Sequence, residues 1–265
     1  MHVTHHAGCD LHHVFHGKGP AALFLHGFPL DHTMWSDQLP ALADLRECIA
    51  PDLRGFGRSE ASTNAVLTMD QIASDAAAVL DARGIETVDL IGFSMGGYAA
   101  LAFAEHYPKR LRSLVLIDTR AGADDAAGQA KRKASAERLV EVGRLAWGTD
   151  TIAALLAPNA ALGARARMRT MIEHTPYETI VAAQLGMAER PDRTRVLATI
   201  SVPTTVIVGE LDALTPPDQA RAMVATLPNA KLVVVPGAGH MSPIEAPEAV
   251  IAALRGHFQS LPTLG

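Results

Sequence analysis

The chain has 265 residues, of which 48% are hydrophobic and 19% charged, with a formal net charge of −5. That content supplies a packed core and excludes a disordered chain, and the acidic balance argues against a nucleic-acid partner, because phosphate recognition needs a clustered positive surface. Two cysteines, Cys9 and Cys48, make no disulfide framework, and no segment approaches about 18 uninterrupted apolar residues or reads as a leader, so a cytoplasmic protein with no membrane span is expected.

In chain order, two polar segments near His2–His6 and Leu11–His16 read as an antiparallel edge hairpin. They hold six of the twelve histidines, but no carboxylate or cysteine with ligand spacing accompanies them, so no metal is assigned. Short apolar runs bounded by turn residues follow at Ala21–Leu25, Thr87–Ile91, Leu114–Ile117, Thr204–Val208 and Leu232–Val235, each of a length suited to a buried strand. Helical spacing appears over Asp70–Arg83, Met95–Tyr107, Asp218–Leu227 and Pro243–Phe258, so strands and helices alternate as in a mostly parallel sheet covered on both faces. Capping boxes are expected at Thr68-Met69-Asp70-Gln71 and Ser242-Pro243-Ile244-Glu245, and Thr215-Pro216 gives a similar helix start. Between Thr119 and Ile200 the strand signal disappears. Residues 120–200 therefore read as a helical cap inserted into a core formed by 1–119 and 201–265, and its basic run Lys131-Arg132-Lys133 reads as a solvated helix face without a binding role.

The chemistry concentrates at strand ends. Residues Val88 to Gly97 run from an apolar strand through Gly92-Phe93-Ser94-Met95-Gly96 directly into an alanine-rich helix. A serine on so sharp a turn is exposed at a helix N-terminus, where backbone N–H groups favour developing negative charge. A serine hydroxyl is a weak nucleophile and needs a base with an orienting third group. His240, in the glycine-rich loop after Leu232–Val235, suits the base. Asp212, after Thr204–Val208, suits the acid in the order Ser, Asp, His, with Glu210 and Asp118 as competitors. The loop Leu25-His26-Gly27-Phe28-Pro29 offers an oxyanion site from the backbone N–H groups of Phe28 and Met95, with His26 as a packing residue.

The His26-Gly27-Phe28 loop, the segment Asp52-Leu53-Arg54-Gly55-Phe56-Gly57-Arg58-Ser59, the serine elbow and Gly237-Ala238-Gly239-His240 together resemble the α/β-hydrolase family over nearly the whole chain. With Pro29, Leu30 and Trp35, the likeness is to the branch of carboxylesterases, cofactor-free haloperoxidases (perhydrolases) and 3-oxoadipate enol-lactonases. The resemblance implies an eight-stranded, mostly parallel sheet with a helical cap, and favours Asp212 over Asp118. It implies hydrolysis of a small-molecule ester or lactone without a cofactor, by a monomer or homo-oligomer, through an acyl-enzyme on Ser94. A pocket walled by Phe28, Pro29, Phe93 and Met95 is expected, and Pro29 suggests hydrogen peroxide as a second acyl acceptor. Dehalogenases and epoxide hydrolases of this fold would carry aspartate in place of Ser94. Carbon–carbon hydrolases and non-catalytic receptors that hold a ligand under the cap remain alternatives, and Arg165, Arg167 and Arg169 do not share the single helix face an anion clamp would need.

Overall fold

A computed structural model describes residues 2–61 and 64–262. Its strands are β1 (His2–His6), β2 (Cys9–His16), β3 (Ala21–Leu25), β4 (Glu47–Pro51), β5 (Val88–Phe93), β6 (Leu111–Ile117), β7 (Thr204–Gly209) and β8 (Ala230–Val235). They form one eight-stranded sheet in the order β1-β2-β4-β3-β5-β6-β7-β8. The β1–β2 and β2–β4 pairs are antiparallel and all later pairs parallel, which is the mostly parallel α/β sheet of the α/β-hydrolase fold.

Burial on both faces explains the unbroken apolar runs. On β3, Leu23 and Leu25 enter one core cluster while Ala22 and Phe24 enter the other; β6 divides Leu114 and Leu116 from Val115 and Ile117 in the same way. Successive side chains of a strand point to opposite faces, so a doubly covered strand shows no polar alternation. β4 escapes sequence reading because Glu47 and Pro51 flank only Cys48, Ile49 and Ala50, too short an apolar run to stand out.

Helices α1 (Gln38–Leu42), α2 (Met69–Ala82) and α3 (Met95–His106) precede β6. Thr68 caps α2 as expected, its side chain accepting from the N–H of Gln71. Between β6 and β7 lie α4 (Ala126–Leu155), α5 (Leu162–His174), α6 (Tyr177–Ala188) and α7 (Thr194–Leu197), and α8 (Pro217–Thr226), α9 (Ser242–Glu245) and α10 (Pro247–Gln259) complete the chain. α4 is kinked at Gly143, whose φ of 77° only glycine adopts without strain.

Three local expectations are corrected. The helix read as Pro243–Phe258 is two helices, because Pro247 forces Ala246 out of the helical region (φ −138°, ψ 61°). Ser242 does not cap it: its hydroxyl donates to Asp118, although Glu245 does reach back to the Met241 N–H at 3.0 Å. Thr215 starts no helix either, its side chain being drawn to Asp212, and α8 begins at Pro217.

A buried ion cluster ties the sheet to its surroundings. The fully buried Asp89 on β5 accepts from Arg46 Nε at 2.7 Å, Arg112 Nε at 2.8 Å and Ser113 Oγ at 2.6 Å. His257 of α10 joins through Ser113 Oγ at 2.9 Å. Replacing Asp89 with alanine leaves two cations without their carboxylate at the centre of the sheet, and urea unfolding should show a loss of about 3–5 kcal/mol.

Candidate active site

Ser94, Asp118, Asp212 and His240 follow β5, β6, β7 and β8 closely, so adjacent parallel strands deliver four functional groups to one edge of the sheet. Ser94 has φ 51° and ψ −112°, a conformation unusual for any residue with a side chain. The turn is held on both sides: the Ser94 N–H donates to Ile117 O at 2.9 Å, and Thr119 Oγ1 donates to Ser94 O at 2.8 Å. Gly96 is required at this crossing, because a Cβ there would sit 2.3 Å from the carbonyl oxygen of Leu25.

Ser94 Oγ lies 2.9 Å from His240 Nε2, and His240 Nδ1 donates to Asp212 Oδ2 at 2.8 Å. The carboxylate fixes which imidazole nitrogen carries the proton, leaving Nε2 free to accept from the serine. Asp212 also receives the N–H groups of Leu214 and Thr215 at 2.8 and 2.9 Å and the Thr215 hydroxyl at 2.6 Å. Burial alone would raise its pKa, but His240 and these donors hold it below the ordinary carboxylate value. A hydroxyl, an imidazole and an ionised carboxylate in line can generate a serine nucleophile and return its proton.

The two competing acids go elsewhere. Glu210 accepts the Gly237 N–H at 2.9 Å and stays on the loop surface. Asp118 is wholly buried and receives Gly209 N at 2.7 Å and Ser242 Oγ at 2.5 Å. It thereby joins the end of β7 to the start of α9, on either side of the loops that carry Asp212 and His240. Burial, helped by the nearby Asp212 charge, pushes Asp118 up to about 7 against the pull of His240 and of the Ser242 and Gly209 bonds. His26 is a packing residue, its Nε2 accepting the N–H of Leu53 at 2.9 Å.

Ser94 opens into a cavity of about 340 Å³ between the strand ends and α4 and α6. A larger open groove of about 530 Å³ beside α6 holds none of these groups. Of the four expected wall residues only Phe28 lines the cavity. Phe93 and Met95 are fully buried, because strand alternation turns Phe93 against Trp35 and α3 packs Met95 into the core; Pro29 is buried with its carbonyl accepting from Thr175. Trp147 and Leu155 of α4, Tyr98 of α3 and Leu214 complete the apolar wall. Arg167 is no clamp, since it pairs with Asp37 and Ser36 at 2.5 and 2.8 Å and fastens α5 to the loop before α1.

The basic run of α4 is corrected in part. Lys131 and Lys133 are exposed as expected, but Lys131 and the half-buried Arg132 also line the cavity. Arg132, Arg120 and Arg190 converge on a single carboxylate, Asp124. Burial works against ionisation there, but the Arg190 and Arg132 bonds overcome it and draw Asp124 down to about 2. A carboxylate so depressed contributes stability above its ordinary value of 3.8 and loses that contribution as the pH falls through the folded value. Asp124→Asn should therefore cost about 3 kcal/mol in urea unfolding at pH 7, with the gap to the unmodified protein closing between about pH 4 and about pH 2.

Residues 20–247 match the family model described as the alpha/beta hydrolase fold. The solved structure of a thermophilic esterase from Thermogutta terrifontis, with malate bound, superposes with a TM-score of 0.93 at 40% identity, covering 98% of this chain and 97% of that one. A bromoperoxidase from Bacillus anthracis shares the fold with a TM-score of 0.87 at 22% identity, covering 98% and 99%. Among curated sequences, 3-oxoadipate enol-lactonase 1 of Acinetobacter baylyi is 27% identical over 92% of this chain and 90% of its own length. The match to the family model, spanning most of the chain, places this protein in the α/β-hydrolase family.

Proposed function

We propose that the protein hydrolyses carboxylic esters or lactones through an acyl-enzyme on Ser94. The observation that carries this reading is the continuous path from Ser94 Oγ through His240 to Asp212, at 2.9 and 2.8 Å, opening on a mostly apolar cavity. Ser94 Oγ attacks the substrate carbonyl as its proton passes to His240 Nε2. Asp212 stabilises the resulting imidazolium, which then protonates the leaving alcohol; with a lactone, that alcohol stays attached to the acyl chain. Water, deprotonated by the same imidazole, attacks the acyl-enzyme and releases the acid.

The tetrahedral oxyanion is held by the N–H groups of Phe28 and Met95. Met95 is the first residue of α3, so its N–H has no carbonyl one turn behind it. Such donors contribute on the order of 10²–10³ in rate each. The esterase from Thermogutta terrifontis and the enol-lactonase from Acinetobacter baylyi support an acyl substrate of this kind. Water is the acceptor in this reading; Pro29 lies outside the cavity lining.

Hydrolysis of p-nitrophenyl esters from acetate to octanoate provides the test. Turnover should fall about 10⁴-fold or more in Ser94→Ala, and by a comparable factor in His240→Ala, with circular dichroism unchanged. Equal turnover by Ser94→Ala and the unmodified protein would overturn the assignment. A folded protein that binds short esters without cleaving them would instead be a ligand receptor.

A further inference from the structure

The cavity that exposes Ser94 has an unequal balance of charge. Arg120, Lys131 and Arg132 line it, and Asp124 is the one acid among its lining residues. Asp124 is not free to neutralise them all, since it also receives Arg190 Nη2 at 2.9 Å. Three arginines thus share one carboxylate with Lys131 beside them, and Arg120 Nε and Arg190 Nε are buried without a hydrogen-bond partner among the described residues.

Two of these cations have donors to give. Arg132 commits Nε to Asp124, and its Nη1 donates to Met187 Sδ at 3.3 Å and more weakly to Gln184 Oε1 at 3.4 Å, soft or long partners that a carboxylate would replace. Lys131 is exposed at the cavity wall and makes no hydrogen bond or ion pair among the described residues. An ammonium at the mouth of a largely apolar cleft favours an anion that brings its own charge, because low-dielectric walls focus the field. Phe28, Trp147, Leu155 and Leu214 offer apolar surface for a short methylene chain.

We propose that the cavity selects esters or lactones bearing a second, free carboxylate remote from the reacting carbonyl, held by Lys131 with Arg132 while the carbonyl meets Ser94. The substrate class is the monoester of a short dicarboxylic acid, or a lactone with a carboxylate side arm. This inference rests on the ester or lactone reading above and adds its specificity: Lys131 is a specificity residue that leaves the bond-breaking steps to Ser94 and His240.

The test compares kcat/KM for the monomethyl and dimethyl esters of succinate, glutarate and adipate, followed by acid release. The expected result is a preference for the monoester of about 10-fold, shrinking in about 0.5 M salt. The preference should fall to near unity in Lys131→Met, be retained in Lys131→Arg, and reverse in Lys131→Glu. A preference near unity in the unmodified protein, or one that survives intact in Lys131→Met, would overturn the inference while leaving the esterase reading standing. Calorimetric binding of glutarate to Ser94→Ala, alone and combined with Lys131→Met, separates the two failures. If neither ester is cleaved by folded protein the esterase reading fails, yet glutarate binding that weakens several-fold without Lys131 supports carboxylate recognition, and no glutarate binding at all overturns it.

Discussion

The backbone at Ser94 is held where a residue with a Cβ does not rest on its own, and the surrounding architecture exists around that turn. A φ of 51° with ψ −112° costs of the order of 1–3 kcal/mol, and such strain persists only when neighbouring structure over-determines it. Three elements do so here: β6 through the carbonyl of Ile117, the following loop through Thr119, and β3 through the close passage of Leu25 over Gly96. The parallel register of β3, β5 and β6 is what brings those three to one point. The sheet is therefore as much a part of the site as the side chains it presents.

Two buried aspartates beside one imidazole show how environment separates chemically identical groups. Asp212 collects two backbone N–H groups, a hydroxyl and the imidazole, which together compensate a buried negative charge. Asp118 is more deeply buried and, with the Asp212 charge nearby, is pushed toward neutrality. Its geometry suits a structural role, since by joining Gly209 to Ser242 it fixes the distance between the loops on which Asp212 and His240 sit. One carboxylate orients the imidazole and the other braces the frame that holds it.

What was legible in the sequence follows from where its signals are local. Ser94, Asp212 and His240 each come soon after an apolar run, so their placement at strand ends could be read from periodicity and order, and they meet at hydrogen-bonding distance. Thr215 carried a weaker signal, since a threonine three residues after an aspartate fits both a helix start and a turn that folds back on the carboxylate. The pocket walls were not legible. Phe93 and Met95 adjoin the serine in sequence, yet strand alternation and helix direction turn both into the core. The true wall comes largely from α4, whose kink at Gly143 breaks the periodicity that would have shown which side faces inward.

The same non-locality accounts for the charge of the cavity. A net charge of −5 describes the whole surface and says nothing of a cleft, where Arg120, Lys131 and Arg132 line the wall beside one acid that Arg190 reaches as well. Arg120 follows β6, Lys131 and Arg132 lie on α4, and Arg190 follows α6. Read separately, each is an ordinary basic residue in its own segment. Brought together, they place a positive field beside Ser94, and in the proposed hydrolysis that field favours the oxyanion as it forms as well as the anionic substrate arm proposed above. Asp124 then has a double consequence: it makes the packing of three arginines tolerable, and by being a single charge it leaves their excess to act on what enters the cavity.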